Sequence, residues 1–157
     1  MLLKSNQLLN RINKEGFVFV EYDPSLIQYL QSHEDRILIL KEWIKEAIDI
    51  EGETLYADWE ALDKDQSIKL HYHIIPGSFQ AVTWVPENNF EGREFLYGIK
   101  DEILKVKPRL GLICFFKPND ENYIHGVAPL LSDTKIYSYG FTSSVMDISQ
   151  TENDIYV

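Results

Sequence analysis

The sequence predicts an α+β protein in which helices come first and an antiparallel sheet follows. Over residues 2–14, and again from Ile37 to Ile48, apolar residues recur at the three- and four-residue spacing of helices. After residue 67 the period becomes two, which is typical of strands with one buried face. The chain has 157 residues, 45% of them hydrophobic, which suffices for one domain with one core. This order favours a sheet sandwich or an open barrel supported by helices.

The N-terminal part, residues 1–66, is predicted to be a mostly helical support. Helix-start signals lie at Asp23-Pro24, where proline suits the first helical position, and at Ser32. The elements expected here, in chain order, are a helix over 2–14 that ends at Gly16, a strand over 16–22, one broken helix or two helices over 24–49, and an acidic loop or short helix over 51–66.

Residues 67–141 are predicted to form the core of the barrel. Alternating apolar residues, β-branched and aromatic residues and intervening turns indicate six strands. These strands are expected over 68–75, 79–85, 93–97, 110–116, 124–127 and 135–141. The polar tail, 142–157, is expected either to fray or to add an edge strand.

Charge and composition exclude several classes of function. The net charge of −10 disfavours contact with phosphate backbones, and no basic patch interrupts it, so no nucleic-acid partner is expected. The only cysteine, Cys114, lies in an apolar run, and a lone thiol suits a reducing compartment. No apolar stretch reaches the ~20 residues of a membrane span. We therefore expect a cytoplasmic protein without a membrane partner; its oligomeric state is not encoded in any motif.

Histidines supply the main functional pattern. His71 and His73 lie two residues apart on a predicted strand, so their side chains project from the same face. His125, far along the chain, is available as a third donor. Imidazole suits Fe, Zn, Cu and Ni, and three ligands on one side of an ion leave positions open for substrate or O₂. The pattern predicts a metal site on a β-rich scaffold.

The order of motifs around these histidines resembles the 2-oxoglutarate/Fe(II)-dependent oxygenases, particularly their prolyl-hydroxylase-like branch. In that family a His-x-Asp/Glu motif, an apolar strand, a glycine segment, a second apolar strand and a distal histidine follow one another, with a basic residue about ten positions later. The corresponding segments here are His71-Tyr72-His73, 79–85, 89–95, 106–116, 125–129 and Lys135.

The resemblance implies a double-stranded β-helix, a jelly-roll or cupin-like barrel, with the N-terminal helices packed on one sheet. It also implies Fe(II), with 2-oxoglutarate as co-substrate, and hydroxylation of a peptide side chain or a small metabolite. Lys135 would bind the distal carboxylate of 2-oxoglutarate. The strand aromatics Trp84 and Tyr137 are expected to line the pocket.

One departure from the family leaves three interpretations open. The family uses two histidines and a carboxylate, but His73 occupies the carboxylate position if His71 is the first ligand, and Ile75 occupies it if His73 is. The site is then a three-histidine centre built from His71, His73 and His125, as in cupin-like dioxygenases that do not use 2-oxoglutarate. Alternatively, a distant carboxylate completes it, or the fold is retained for binding alone. The candidate carboxylates are Asp58, Glu87 and Glu94.

Overall fold

In the residues that the structure describes, 6–75, 77–145 and 154–156, two five-stranded antiparallel sheets face each other. The structure is a computed structural model. Its helices are α1 (Asn6–Glu15), a 3-10 turn (Pro24–Leu26) and α2 (His33–Ala47). Its strands are β1 (Phe17–Glu21), β2 (Thr54–Glu60), β3 (Ile68–His73), β4 (Phe79–Pro86), β5 (Phe95–Ile99), β6 (Glu102–Val106), β7 (Leu112–Phe116), β8 (Tyr123–Val127), β9 (Ile136–Ser144) and β10 (Asp154–Tyr156).

The strand orders are β1-β7-β4-β9-β2 in the first sheet and β10-β3-β8-β5-β6 in the second. The chain crosses repeatedly from one sheet to the other. For example, β3 belongs to the second sheet and β4 to the first, and β7 belongs to the first sheet and β8 to the second. This is the double-stranded β-helix, and the predicted fold class is confirmed. Facing side chains of both sheets, Phe17, Trp84, Phe95 and Phe116 among them, form the core between them.

The N-terminal helices cover the outer face of the first sheet, as predicted. Ile12 of α1 and Leu40 and Ile44 of α2 are fully buried in one cluster with strand residues such as Phe115 and Phe141. Ser32 is the N-cap of α2, and its hydroxyl accepts a hydrogen bond from Asp35 N at 3.0 Å. None of the described helices combines the length and the apolar character that a membrane-spanning helix requires.

The prediction of a loop or short helix over residues 51–66 is wrong, because β2 forms there. Thr54–Glu60 pairs with β9 along its whole length, from Thr54↔Ser144 to Glu60↔Ser138. Of its seven residues only Leu55 is buried. Backbone pairing at the edge of the sheet therefore fixes this strand, and hydrophobic periodicity does not mark it.

Strand β6 was missed, because an unusual hairpin precedes it. Ile99 pairs with Glu102, so Lys100 and Asp101 form the turn, and Lys100 adopts the left-handed φ of 59° that usually selects glycine or asparagine. In the tail, 154–156 forms the edge strand β10, which pairs with β3. Residues 2–5 of the expected first helix and residues 146–153 of the tail lie outside the described residues.

Candidate metal centre

Two neighbouring strands of the second sheet bring the three predicted histidines together. His71 and His73 lie on β3, His125 lies on β8, and His71 is paired directly with His125 across the ladder. One candidate ligand atom from each residue falls in a group whose members all lie within 4.8 Å of one another. The Nε2 atoms of His73 and His125 are 3.2 Å apart. The sequence-based grouping of these three side chains is therefore reproduced in three dimensions.

Local sequence holds β3 and β8 close to each other. Gly126, next to His125, lies against β3 so closely that a Cβ there would be 2.6 Å from the carbonyl oxygen of Ile68. At the other end, His73 N donates to Pro118 O at 2.7 Å, and Tyr123 N donates to Asp120 O at 2.9 Å to close the turn before β8. The histidines thus sit on two ladder-paired strands, which is a rigid support for a metal centre.

A backbone hydrogen bond orients His71. Its Nδ1 lies 2.7 Å from Lys69 O, and because a carbonyl oxygen only accepts, Nδ1 carries the proton. In the neutral form of the ring, this hydrogen bond leaves the lone pair on Nε2. Metal-binding histidines are commonly fixed in this way, through donation from the second ring nitrogen to a carbonyl.

His125 is held neutral by its surroundings. Burial lowers the pKa of its imidazole well below the usual range, and the neighbouring His71 and His73 lower it further. The ring is packed beside Phe116, with centroids 4.5 Å apart. A neutral imidazole keeps a lone pair for a metal ion.

The donor spacing fits an ion. Metal–nitrogen bonds of about 2.0–2.1 Å place adjacent ligand atoms about 3.0 Å apart at right angles and about 3.4 Å apart in tetrahedral geometry. The 3.2 Å between the Nε2 atoms of His73 and His125 falls in this interval. The centroid distances of 4.3, 4.8 and 5.0 Å show that all three rings converge. The residues present therefore fit a three-histidine metal site.

The histidines line a cavity of about 390 Å³ between the two sheets. Part of its lining is aromatic and includes Trp84, Phe95 and Phe116. The lining also carries polar groups from β2, β4 and β9, namely Asp58, Glu60, Gln80, Ser138 and Thr142. Among the described residues, two buried side-chain polar atoms lack a hydrogen-bond partner, Gln80 Oε1 and His125 Nδ1, and both belong to residues that line this cavity.

Of the three residues predicted to contact a co-substrate, only Trp84 lines the cavity. Lys135 is exposed in the segment before β9, and Tyr137 packs on the outer face of the sheet, where its ring contacts His33 and Trp59. Side chains alternate along β9, so Ser138 faces the cavity and Tyr137 faces away. The expected placement of Lys135 and Tyr137 in the pocket is corrected accordingly.

Of the three candidate carboxylates, one lines the cavity and two do not. Asp58 lines the cavity, whereas Glu87 lies in the turn after β4 and Glu94 precedes β5, both outside its lining. Glu60, which the sequence did not single out, also lines the cavity because it follows Asp58 by two residues on β2. Recognition of β2 as a strand is what would have identified it.

The surroundings of Glu60 raise the pKa of its carboxyl group. It remains accessible to solvent, yet loss of hydration of its carboxyl raises the pKa, and Asp58 adds to this. Arg93 and, more weakly, His71 oppose the rise by favouring the ionised form. The carboxyl group thus lies within electrostatic reach of the histidine cluster.

Arg93 is a buried cation that the sequence did not single out. It is 1% exposed, and its guanidinium donates to Leu62 O and to Ile136 O, each at 3.3 Å. Burial lowers its pKa and the attraction of Glu60 opposes this. Arg93 ties the end of β2 to the start of β9, and it does not line the cavity.

Comparison with solved structures identifies the fold. The chain superposes on a prolyl-4-hydroxylase from Pseudomonas putida with a TM-score of 0.69, at 12% identity, over 92% of this chain and 93% of that one. A 2OG-Fe(II) oxygenase-family oxidoreductase from Burkholderia pseudomallei gives 0.62 at 13% identity over 90% of each chain. HygX from Streptomyces hygroscopicus, with nickel and 2-oxoglutarate bound, gives 0.54 at 12% over 89% and 86%.

The chain has the double-stranded β-helix fold of the prolyl-hydroxylase-like oxygenases. No protein-family model and no curated protein sequence matches it. The family resemblance drawn from the order of motifs is supported at the level of fold, and identities of 12–13% leave the chemistry to be argued from the site itself.

Proposed function

We propose that the protein is an Fe(II)- and 2-oxoglutarate-dependent oxygenase that hydroxylates a peptide side chain or a small metabolite. The observation that carries the proposal is the convergence of His71, His73 and His125 on one point of a cavity inside this fold. The buried Gln80 Oε1, which has no hydrogen-bond partner and belongs to a residue of the same lining, supports a bound ligand there, since buried polar groups are normally satisfied.

Each part of the site has a defined role in this proposal. His71, His73 and His125 would hold the iron, and all three would do so as neutral imidazoles. Bound iron would supply the oxidative chemistry by which O₂ and 2-oxoglutarate become succinate and CO₂ while a substrate C–H becomes C–OH. Trp84, Phe95 and Phe116 would exclude bulk water from that chemistry.

A second candidate function is favoured by one observation. Within the described residues, the cavity lining contains neither lysine nor arginine, whereas 2-oxoglutarate carries a distal carboxylate that needs a cation. A three-histidine metal dioxygenase that works without 2-oxoglutarate fits this lining. Its ligands would be the same three residues, so metal binding is common to both candidates and co-substrate use separates them.

One experiment tests the proposal and ranks the candidates. The protein is reconstituted anaerobically with Fe(II), its metal content is measured, and 2-oxoglutarate is titrated before air is admitted and succinate is quantified. One iron per chain with 2-oxoglutarate binding and succinate release is the expected result. Iron without 2-oxoglutarate binding shifts the assignment to the second candidate, and absence of metal binding overturns both in favour of a binding protein on this fold.

A further inference from the structure

We propose that the substrate of this cavity carries an organic cation, an ammonium or guanidinium group, which binds between Asp58 and Glu60 over Gly140. This inference rests on the proposed function, because it names the substrate class of the same site. Four features of the described residues support it: the charge of the lining, a recess next to it, an unsatisfied acceptor and an apolar wall.

The charged groups of the cavity lining are of one sign. Asp58 and Glu60 project from alternate positions of β2, and no lysine or arginine joins them among the described lining residues. Neither carboxylate has a salt-bridge partner in the described part of the chain. Asp58 accepts a hydrogen bond from Trp59 N at 2.8 Å, and Arg93 lies outside the lining. The pair is therefore available to a cationic ligand.

The recess beside these carboxylates has a floor of small residues. Asp58 is paired with Gly140 and Glu60 with Ser138, while Val82 and Trp84 flank the same two positions from β4. A Cβ built on Gly140 meets nothing within 4 Å. The recess has a volume of about 230 Å³ and shares most of its lining, including both carboxylates, with the histidine cavity.

Further evidence for a ligand comes from an unpaired acceptor on β4, which is separated from β2 by β9 in the same sheet. Gln80 Oε1 is buried without a hydrogen-bond partner, while its amide nitrogen donates to Thr142 Oγ1 at 3.0 Å. The two carboxylates of the recess and the Gln80 side chain belong to the lining of one cavity, so this lining offers acceptors to a ligand rich in N–H donors.

The remaining wall suits the aliphatic part of such a ligand. Val82 and Trp84 provide an apolar surface beside the recess, and methylene stems of lysine- or arginine-like groups pack on such surfaces. With its cation held by Asp58 and Glu60, the ligand extends its C–H bonds along the cavity towards the histidines. Cation binding thus selects and orients the substrate.

Binding measurements on the metal-loaded protein test the proposal without requiring turnover. The probes are N-acetyl-arginine amide and N-acetyl-lysine amide, each against its neutral counterpart, the citrulline and norleucine amides. Butylguanidine and pentylamine separate recognition of a free cation from recognition of a peptide backbone. Nickel replaces iron, and 2-oxoglutarate is present. Calorimetry is expected to show the cationic probes binding about tenfold or more tightly than the neutral ones, with the ratio shrinking as salt is raised.

The matched variants are the pair Asp58→Asn with Glu60→Gln, and the pair Glu42→Gln with Glu46→Gln on the exposed face of α2. Both pairs change the net charge by the same amount. The first is expected to abolish the preference for cations and the second to retain it. Gly140→Val, which fills the recess, is expected to weaken binding of the cationic probes while metal binding persists.

Equal affinity for cationic and neutral probes, no binding of either, or a preference that survives in the Asp58→Asn/Glu60→Gln protein would overturn the inference. Nickel stoichiometry, measured first on every variant, separates this failure from failure of the proposed function. A protein that holds nickel and lacks the preference loses only the substrate class. A protein that does not hold nickel loses the metal site on which both depend.

Discussion

Gly126→Ala is predicted to disrupt the candidate metal centre without touching a ligand. The added Cβ would lie 2.6 Å from Ile68 O and 3.1 Å from Leu70 N, whereas ordinary contact begins at 3.4 Å. Strands β3 and β8 must therefore separate by about 0.8 Å, several times the ±0.2 Å within which metal–ligand distances are held. Since β3 carries His71 and His73, and Gly126 is adjacent to His125, the imidazoles separate by a similar distance.

We expect metal affinity to fall about tenfold or more, as it does when support of metal ligands is lost, and stability to fall by about 1–3 kcal/mol from overpacking. Calorimetric titration with Zn²⁺ or Ni²⁺ measures the first quantity and urea unfolding of the metal-free protein the second. Gly140→Ala is the matched control, because the same methyl group meets nothing within 4 Å there. Unchanged metal affinity in Gly126→Ala, or equal losses in both variants, would refute the reasoning.

Four further outcomes are expected. Lys135→Ala should leave 2-oxoglutarate affinity unchanged, because the side chain is exposed outside the cavity; a weaker titration would return Lys135 to the site. Thr83→Val should cost about 1–3 kcal/mol in urea unfolding, since the buried Tyr22 hydroxyl, 2.8 Å from Thr83 Oγ1, loses this side-chain partner; an unchanged midpoint argues against this hydrogen bond. The buried Cys114 thiol, whose pKa burial raises, should resist Ellman's reagent at pH 8 until the protein unfolds; rapid native labelling would contradict its burial. The metal-free protein should lose stability as the pH falls below about 6.5, because His125 is protonated more readily in the unfolded chain than in the folded protein. The His125→Asn variant should show a weaker dependence of stability on pH. An identical slope in the two proteins would show that another group causes the dependence.

The histidine cluster was predictable because its grouping depends on short-range geometry. Alternation along a strand places His71 and His73 on one face whatever the rest of the fold, and the motif order supplied His125 as the third member. The direct pairing of His71 with His125 required the register of β3 against β8, which no local pattern encodes.

The position of Lys135 was not predictable from alternation alone. Strand β9 is covered on both faces, by the second sheet on one side and by α2 on the other, so both of its faces carry apolar or aromatic residues. Ile136 faces the core between the sheets, whereas Tyr139 faces the helices. The hydrophobic pattern of β9 therefore does not indicate which of its two faces borders the cavity. The ten-residue spacing from His125 led to the incorrect prediction that Lys135 lies on the cavity side.

Glu60 and Arg93 were missed for a different reason. Glu60 lies on an acidic edge strand held by backbone pairing with β9, and sequence patterns indicate such strands poorly. Arg93 has the left-handed φ of 59° after Gly92, and its burial depends on carbonyl groups of two distant segments. Both residues obtain their surroundings from long-range contacts.

Metal stoichiometry of the wild-type protein beside His125→Ala tests the central claim most directly. Equilibrium dialysis against Ni²⁺, followed by elemental analysis, is expected to find one ion per chain in the wild type and almost none in a folded His125→Ala protein. No bound ion in the wild type, or the same occupancy in both proteins, would contradict a metal centre formed by His71, His73 and His125.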